Sequence, residues 1–201
     1  MAAPIEDYAL LADLQTGPLV SRNGSVDWLY FPRFDSPWLF CALVGTADHG
    51  RWLLAPSHGG AAVVDRRYLD SAFVLQTTWE TITVRVLIRD FMPVGLDRSS
   101  LLRRIMGLYG TVEMHPELTI RPSYGLVMPW VSRGHDHADP GATVLVATAG
   151  PDAIALRGPH IPLAYSHGHE GNFAISGGGG GENRRFRIDT VPFPPPGSGS
   201  P

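Results

Sequence analysis

The chain has 201 residues, enough for one domain with a substantial core, and 41 of them are Gly or Pro. That share argues against a protein of long helices, because these are the two poorest helix formers. An apolar content of 44% excludes general disorder, and a net charge of −3 argues against a nucleic-acid partner. No apolar run is long enough to cross a bilayer as a helix, so we expect no membrane partner.

The compartment is predicted from the single cysteine and the first residues. Cys41 cannot form an internal disulfide, so no oxidising compartment is implied, and we expect a buried structural thiol. Residues 1–14 lack the basic start of a secretory signal. The sequence therefore predicts a cytoplasmic protein.

The first two elements are a hairpin and a short helix. Residues 18–31 form the hairpin, because Asn23 and Gly24 supply the positive φ values that a type I′ turn demands. The next segment predicts a two-turn helix over 38–44, with Ser36 as its N-cap.

Short runs of β-prone residues follow from residue 51 onward. They predict strands at 52–55, 61–64, 73–80, 81–89, 112–121, 143–147, 154–156 and 172–176. The run at 112–121 alternates apolar and polar residues without a break, which indicates one buried face. Because Pro116 cannot donate to a ladder, we expect this strand at an edge or carrying a bulge. Many short strands at this spacing predict an all-β, antiparallel β-sandwich.

The composition changes after Ser176. Five glycines at 177–181 lead into a segment rich in Arg and Pro, which cannot bury enough apolar area to offset its ordering entropy. We therefore predict a β-sandwich domain over 1–176 and a disordered tail over 177–201. The alternation at 186–188 leaves room for one more weak strand.

Aromatic residues are concentrated near the hairpin, at Trp28, Tyr30, Phe31, Phe34, Trp38 and Phe40. One interpretation is that exposed rings stack on sugars; the alternative is that they fill the core or face another domain. An arginine and an aspartate among these rings either grip sugar hydroxyls or lock a loop. The candidate residues for substrate binding or docking are Trp28, Arg33, Phe34, Asp35 and Trp38.

Two further kinds of site have weaker support. Paired carboxylates would suggest glycoside hydrolysis, but we interpret the aspartates near predicted strand ends and turns as turn and cap residues, and we assign no catalytic residue. The segments 135–137 and 167–170 alternate His with other residues, as zinc ligands on a strand do. Neither has a Cys or a further His at fixed spacing, so we predict solvated loops, with no metal and no cofactor.

Several segments together resemble a known family. The chain is similar to the opening of bacterial glycoside hydrolase family 15 proteins, the glucoamylase-like and trehalase-like enzymes, from about Ile5 to Ser176. The resemblance is carried, in order, by Ile5-Glu6-Asp7-Tyr8-Ala9-Leu10, Asn23-Gly24-Ser25-Val26-Asp27-Trp28-Leu29, Pro32-Arg33-Phe34-Asp35-Ser36-Pro37, Asp90-Phe91-Met92-Pro93 and Pro129-Trp130.

This resemblance implies both a fold and a partner. It implies the trehalase-like N-terminal domain, a supersandwich-like β-domain that precedes an (α/α)6 barrel with two catalytic carboxylates. The substrates of that family are α-glucosides such as trehalose or maltooligosaccharides. Nothing in the chain offers twelve helices, so we expect it to be inactive alone and to dock onto a barrel of a parental or neighbouring chain.

The resemblance also bears on the last segment and leaves one alternative. The family continues past Ser176 with a strand, whereas here the composition turns to Gly, Arg and Pro. This departure gives the expectation of a truncated or frameshifted product. The alternative function is a free-standing β-sandwich that binds carbohydrate, such as α-glucosides, or a protein.

Overall fold

Antiparallel strands dominate the computed structural model. It describes residues 3–36, 38–57, 60–123, 127–136, 143–150, 152–158, 169–170, 173–177 and 181–191. The described residues form β1 (Tyr8–Leu10), β2 (Leu19–Ser21), β3 (Ser25–Tyr30), β4 (Trp38–Phe40), β5 (Arg51–Pro56), β6 (Ala62–Tyr68), β7 (Val74–Glu80), β8 (Arg85–Phe91), β9 (Ser100–Thr119), β10 (Trp130–His135), β11 (Thr143–Ala149), β12 (Asp152–Arg157), β13 (His169–Glu170), β14 (Phe173–Gly177) and β15 (Asn183–Val191).

The strands form two facing layers that share one strand. The first layer contains β1-β2-β3-β5 followed by the C-terminal half of β9, with β13 and β14 on its other side and β4 beside β3. The second layer runs β6-β7-β8, the N-terminal half of β9, then β15-β12-β11-β10. All of these pairings are antiparallel, which confirms the predicted all-β class.

The 20-residue strand β9 passes from one layer to the other near Gly107 and Gly110. Gly110 has φ +68, and a Cβ there would lie 2.2 Å from the Thr83 carbonyl oxygen. Only glycine meets both conditions without strain. The two glycines therefore allow a single strand to serve both sheets.

The alternation predicted in the second half of β9 is confirmed, but its position at an edge is wrong. Met114 and Leu118 are buried, and Pro116 lies opposite Leu54 of β5, inside the first layer. On the other side of β9, β13 pairs up to Glu117 and β14 starts at Met114. Pro116, which has no N–H to donate, therefore lies between the residues of β9 that pair with β13 and those that pair with β14.

The hairpin is confirmed, with Gly24 at φ +85 between β2 and β3, but the type I′ turn is wrong, because Asn23 does not have the positive φ that this turn demands. The two-turn helix over 38–44 is wrong: strand β4 occupies its first three residues, and a 3-10 turn, Ala42–Val44, follows. Pairing of Phe40 with Leu29 in β3 outweighs the weak local helix signal, and the Phe40 ring is fully buried. Elsewhere in the described chain, 3-10 turns lie at Ile5–Asp7 and Ala47–His49.

The sheet extends past the predicted boundary at residue 176. Strand β15 lies between β9 and β12 and pairs with both, so the additional strand expected around 186–188 is present and is central to the second layer. Phe186 and Ile188 are 4% and 0% exposed and belong to the hydrophobic core. Residues 178–180 and 192–201 of the predicted tail lie outside the described residues.

The core fills the space between the two layers. Its fully buried side chains come from both, with Leu29, Leu54 and Ile175 from the first and Ile88 and Ile188 from the second. No described helix is long and apolar enough to cross a membrane.

Candidate functional site

Three of the five predicted site residues lie in one loop between β3 and β4, residues 31–36, which we call the Arg33 loop. Other segments hold its backbone in place: the Phe34 N–H donates to the Gln15 carbonyl oxygen at 3.0 Å, and the Ser99 hydroxyl donates to the Pro32 carbonyl oxygen at 2.9 Å. The Phe31–Pro32 peptide bond is cis. The loop is therefore anchored at both its start and its middle.

Arg33 and Asp35 form a bidentate ion pair at the tip of this loop. The Arg33 Nε and Nη2 atoms each donate to one Asp35 carboxylate oxygen at 2.9 Å. The side chains are 64% and 69% exposed. The pair orders the loop and presents a planar polar surface to solvent.

Phe34 presents an aromatic ring beside this pair, and a second apolar side chain lies on a neighbouring turn. Phe34 is 56% exposed, and Leu14 is 82% exposed with φ 75. The Asp13 carboxylate accepts the Gln15 and Thr16 N–H groups at 2.9 and 2.8 Å, which fixes that turn. We call Leu14 and Phe34 together the apolar tip.

The two predicted tryptophans lie elsewhere. Trp28 is a half-buried residue of β3, and its ring meets that of Tyr30 edge to face at a centroid distance of 5.1 Å. Trp38 pairs with Tyr30 through the backbone of β4. Phe31 is 4% exposed and fills the core, so the aromatic segment divides between core and surface.

A shallow, open apolar groove begins where the Arg33 loop leaves β3. Asp152 is among its lining residues, and the others are apolar: Phe31, Leu39, Ile120, Pro122, Pro129, Ala147, Ala149, Ala153 and Ile154. The groove and the Arg33 loop thus share Phe31.

Asp27 lies below the surface in a hydrogen-bonded network with Tyr8 and Ser25. The Tyr8 hydroxyl donates to Asp27 Oδ2 at 2.7 Å, and the Ser25 hydroxyl donates to Asp27 Oδ1. Burial raises the pKa of Tyr8, and the hydrogen bond to the Asp27 carboxylate raises this pKa further. The network joins β1 to β3.

Replacing Tyr8 with Phe is expected to change the stability of the protein at alkaline pH. Because its pKa is raised on folding, the contribution of the Tyr8 hydroxyl is complete below the unfolded pKa of about 10 and is lost as the pH rises through the folded pKa. Urea unfolding above about pH 10 should therefore show a smaller pH-dependent loss in Tyr8→Phe than in the unmodified chain. Tyr68→Phe, which leaves the Asp27 contact intact, should keep the full loss; equal curves for both variants would contradict the assignment.

The region that contains these site residues matches a known protein family. A family model described as "Trehalase-like, N-terminal" matches residues 1–172, which include the Arg33 loop, the groove strands and the Asp27 network. The chain belongs to this family. The trehalase-like N-terminal assignment suggested by the motifs is therefore confirmed.

Individual relatives of this trehalase-like N-terminal domain are trehalases. The trehalase of Mycobacterium tuberculosis is 36% identical over 130 residues, which take in 55% of this chain and 19% of that protein. The trehalase of Mycolicibacterium smegmatis is 41% identical over 92 residues, 46% of this chain and 14% of that protein. Trehalase 2 of Sulfolobus acidocaldarius is 29% identical over 122 residues. The chain thus matches less than one fifth of the length of these relatives.

The two histidine segments of the trehalase-like N-terminal domain lie largely outside the part of the chain whose side chains are described. Asp136 accepts from Arg157 Nε at 2.7 Å, while His137 and residues 167–168 lie outside the described residues. No group of three His, Cys, Asp or Glu side chains that could hold a metal occurs among the residues described. Cys41 is buried, and burial raises the pKa of its thiol.

Sequence reasoning missed two clusters of buried charge that the described residues form. Arg103 and Asp90 form an ion pair in the core, at 0% and 2% side-chain exposure. Asp189, 1% exposed, accepts from Ser100 and from the arginines Arg157 and Arg187. The sequence did contain a signal for the first cluster. Arg89-Asp90 and Arg103-Arg104 are adjacent charged pairs within apolar strand segments, and one residue of each pair must face inward because side chains alternate along a strand.

Proposed function

We propose that this chain acts as the non-catalytic N-terminal β-domain of a glycoside hydrolase of the family 15 type, one that cleaves α-glucosides such as trehalose. In this proposal its surface at the Arg33 loop and the adjoining groove docks onto a catalytic (α/α)6 barrel. The observation that carries the proposal is that the trehalase relatives match the chain over only 14% to 19% of their length. The greater part of each relative lies outside the matched region.

The roles of the buried carboxylates support a non-catalytic domain. Each of the four buried carboxylates among the described residues makes interactions that stabilise the fold. Asp13 caps a turn, Asp27 joins two strands, Asp90 neutralises Arg103, and Asp189 holds two arginines. A general acid or nucleophile must instead face a substrate cleft.

The exposed apolar tip supports docking at this end of the domain. Leu14 and Phe34 are large apolar side chains on turns whose backbones are fixed by hydrogen bonds, so little further ordering is needed on association. Arg33 and Asp35 beside them supply the polar rim that protein interfaces carry. An ordered apolar surface of this kind marks an interaction site.

The docking proposal predicts different effects of Arg33→Ala on stability and on association. The ion pair is exposed, so its loss should change the free energy of unfolding by no more than about 1 kcal/mol. The binding partner is a catalytic barrel produced from a trehalase relative without its own N-terminal domain. Arg33→Ala and Phe34→Ala should each lower the affinity of the chain for this barrel by roughly tenfold. Calorimetric titration measures both affinities.

Controls for this experiment come from the opposite end of the second layer. Ile82 is fully exposed in the turn between β7 and β8, and Ile82→Ala should bind the barrel normally. The barrel should release glucose from trehalose faster when the chain is added, while the chain alone releases none. Absence of binding by the unmodified chain, or activity of the chain alone, would contradict the proposal.

The second candidate is a free-standing carbohydrate-binding module, favoured by the exposed Phe34 ring beside the Arg33–Asp35 plane. An aromatic face with a planar polar pair is suited to stack on a sugar and bind its hydroxyls. Titration of the isolated chain with trehalose or maltose would then change the calorimetric heat signal, and Phe34→Ala would abolish this change. The docking proposal predicts no change with either sugar.

We also propose that the domain functions in the cytoplasm. Its one thiol, that of Cys41, is free and 4% exposed, which suits a reducing compartment. Fractionation of producing cells, followed by detection of the chain, tests this location.

A further inference from the structure

Three arginines lie side by side across the outer face of the second layer. Arg89 of β8 is the register partner of Arg104 in β9, and Arg104 is in turn the partner of Arg185 in β15. Directly opposite residues of antiparallel strands project from the same face with Cβ atoms about 5 Å apart. We call Arg89, Arg104 and Arg185 the arginine row.

The charge of this row is not neutralised by carboxylates in the described part of the chain. Arg89 Nε donates to the amide oxygen of Gln76 at 3.0 Å, and Arg104 Nε donates to the amide oxygen of Asn183 at 3.0 Å. Both acceptors are neutral. By contrast, Arg103, the residue before Arg104, has a carboxylate partner on the opposite face of the same strand.

Such a row is unfavourable for the isolated fold. Like charges directly opposite on neighbouring strands destabilise a sheet, and here two such pairs share one arginine. The side chains remain accessible: Arg185 is exposed, and Arg89 and Arg104 are half-buried. The row therefore presents three guanidinium groups to solvent in a fixed line.

The spacing of the row determines which anion fits. Three adjacent strands cover about 10 Å, a length that two or three carboxylates span when they are about 5 to 6 Å apart. This is the separation of acidic side chains at positions i and i+4 of a helix. An extended polyanion such as nucleic acid would also meet the rest of the surface, where the chain has a net charge of −3.

We propose that the arginine row is a docking surface for a helix of a protein partner that carries acidic side chains at i and i+4. Guanidinium groups bind carboxylates through paired hydrogen bonds, so a row of three confers both orientation and register on the partner. This surface goes beyond the proposed function and does not depend on docking at the Arg33 loop.

The test uses the full chain and a labelled helical peptide with Glu at every fourth position, measured by fluorescence anisotropy at low salt. The row variant carries Arg89→Gln, Arg104→Gln and Arg185→Gln. The matched control carries Arg22→Gln, Arg98→Gln and Arg133→Gln, at exposed sites outside the row. Both triple variants change the formal net charge from −3 to −6.

The expected result is a loss of affinity of at least about tenfold in the row variant and a change within about twofold in the control. The row variant should unfold at the same temperature as the unmodified chain or at a higher one, because like-charge repulsion has been removed. Three results would overturn the proposal: equal losses in both variants, a lower unfolding temperature of the row variant, or binding of an oligo-dT strand but not of the peptide.

Discussion

Replacing Arg103 with Met is expected to remove about 3–5 kcal/mol of folding free energy, the range for breaking a buried ion pair on one side. The guanidinium is completely buried and donates to Asp90 Oδ1 at 2.8 Å and to the carbonyl oxygens of Trp52 and Gly24 at 2.7 Å each. Methionine fills much of the space but supplies no donor. The Asp90 carboxylate would be left as an uncompensated charge, and both carbonyl oxygens would lose their side-chain donor.

The position of Arg103 makes this loss larger than that of a simple pair. Its donors connect β8, β5 and the hairpin turn to β9, and its charged group lies 5.3 Å from the centre of the Trp52 ring. A cation over an aromatic face contributes further when both are buried. A single side chain therefore joins the two layers at the centre of the sandwich.

Urea denaturation followed by tryptophan fluorescence measures the effect. Arg104→Met is the matched control, because it makes the same change at the next residue on the opposite face, and it should alter stability by less than about 0.5 kcal/mol. Arg103→Met combined with Asp90→Leu should be more stable than Arg103→Met alone, since it removes the unpaired charge. A loss below about 1 kcal/mol in Arg103→Met would show that the pair is not a major source of stability.

A chain shortened to residue 182 is expected not to fold, whereas one shortened to residue 191 should retain the structure. Without β15, strands β9 and β12 lose their shared neighbour, and the second layer separates between them. The core loses Phe186 and Ile188, both buried, and removal of a single such side chain costs about 2–5 kcal/mol. These losses, together with the unpaired edges left on β9 and β12, are comparable with the whole stability of a domain, about 5–15 kcal/mol.

Circular dichroism and amide proton chemical-shift dispersion distinguish the two shortened chains. Ile188→Ala provides an intermediate case in the full chain and should lose about 2–5 kcal/mol, because the side chain is fully buried. Thr190→Ala in the same strand, at a partly exposed position, should lose far less. A dispersed spectrum from the chain that ends at 182 would place the domain boundary before β15 after all.

Local patterns predicted the strands in which one face is buried and the other is open. The second half of β9 is such a case, because its alternation is visible in ten consecutive residues. The first half is not: Leu101, Leu102 and Ile105 alternate irregularly with arginines, since neighbours cover parts of both faces. Strand β15 was underestimated because the preceding glycines dominate the composition, although Phe186, Ile188 and Asp189 are buried in it.

The candidate site was predictable only where its residues are neighbours in sequence. Arg33, Phe34 and Asp35 are consecutive, so one loop necessarily presents them together. The bonds that hold this loop come from Gln15 and Ser99, and no local pattern indicates such long-range partners. The same reason explains why the arginine row was missed: it exists only once the register of three strands is known.

Strand β9 has a consequence for the order in which the protein is assembled during synthesis. Strands β1 to β8 leave the ribosome first, but β5 and β8 both require β9 as a neighbour, and β9 in turn is completed by β14 and β15. The two layers therefore cannot fold one after the other as separate units, because neither is complete without β9. Folding is accordingly a late, single event, and until residue 191 has emerged the chain exposes unpaired strand edges to chaperones and to other nascent chains.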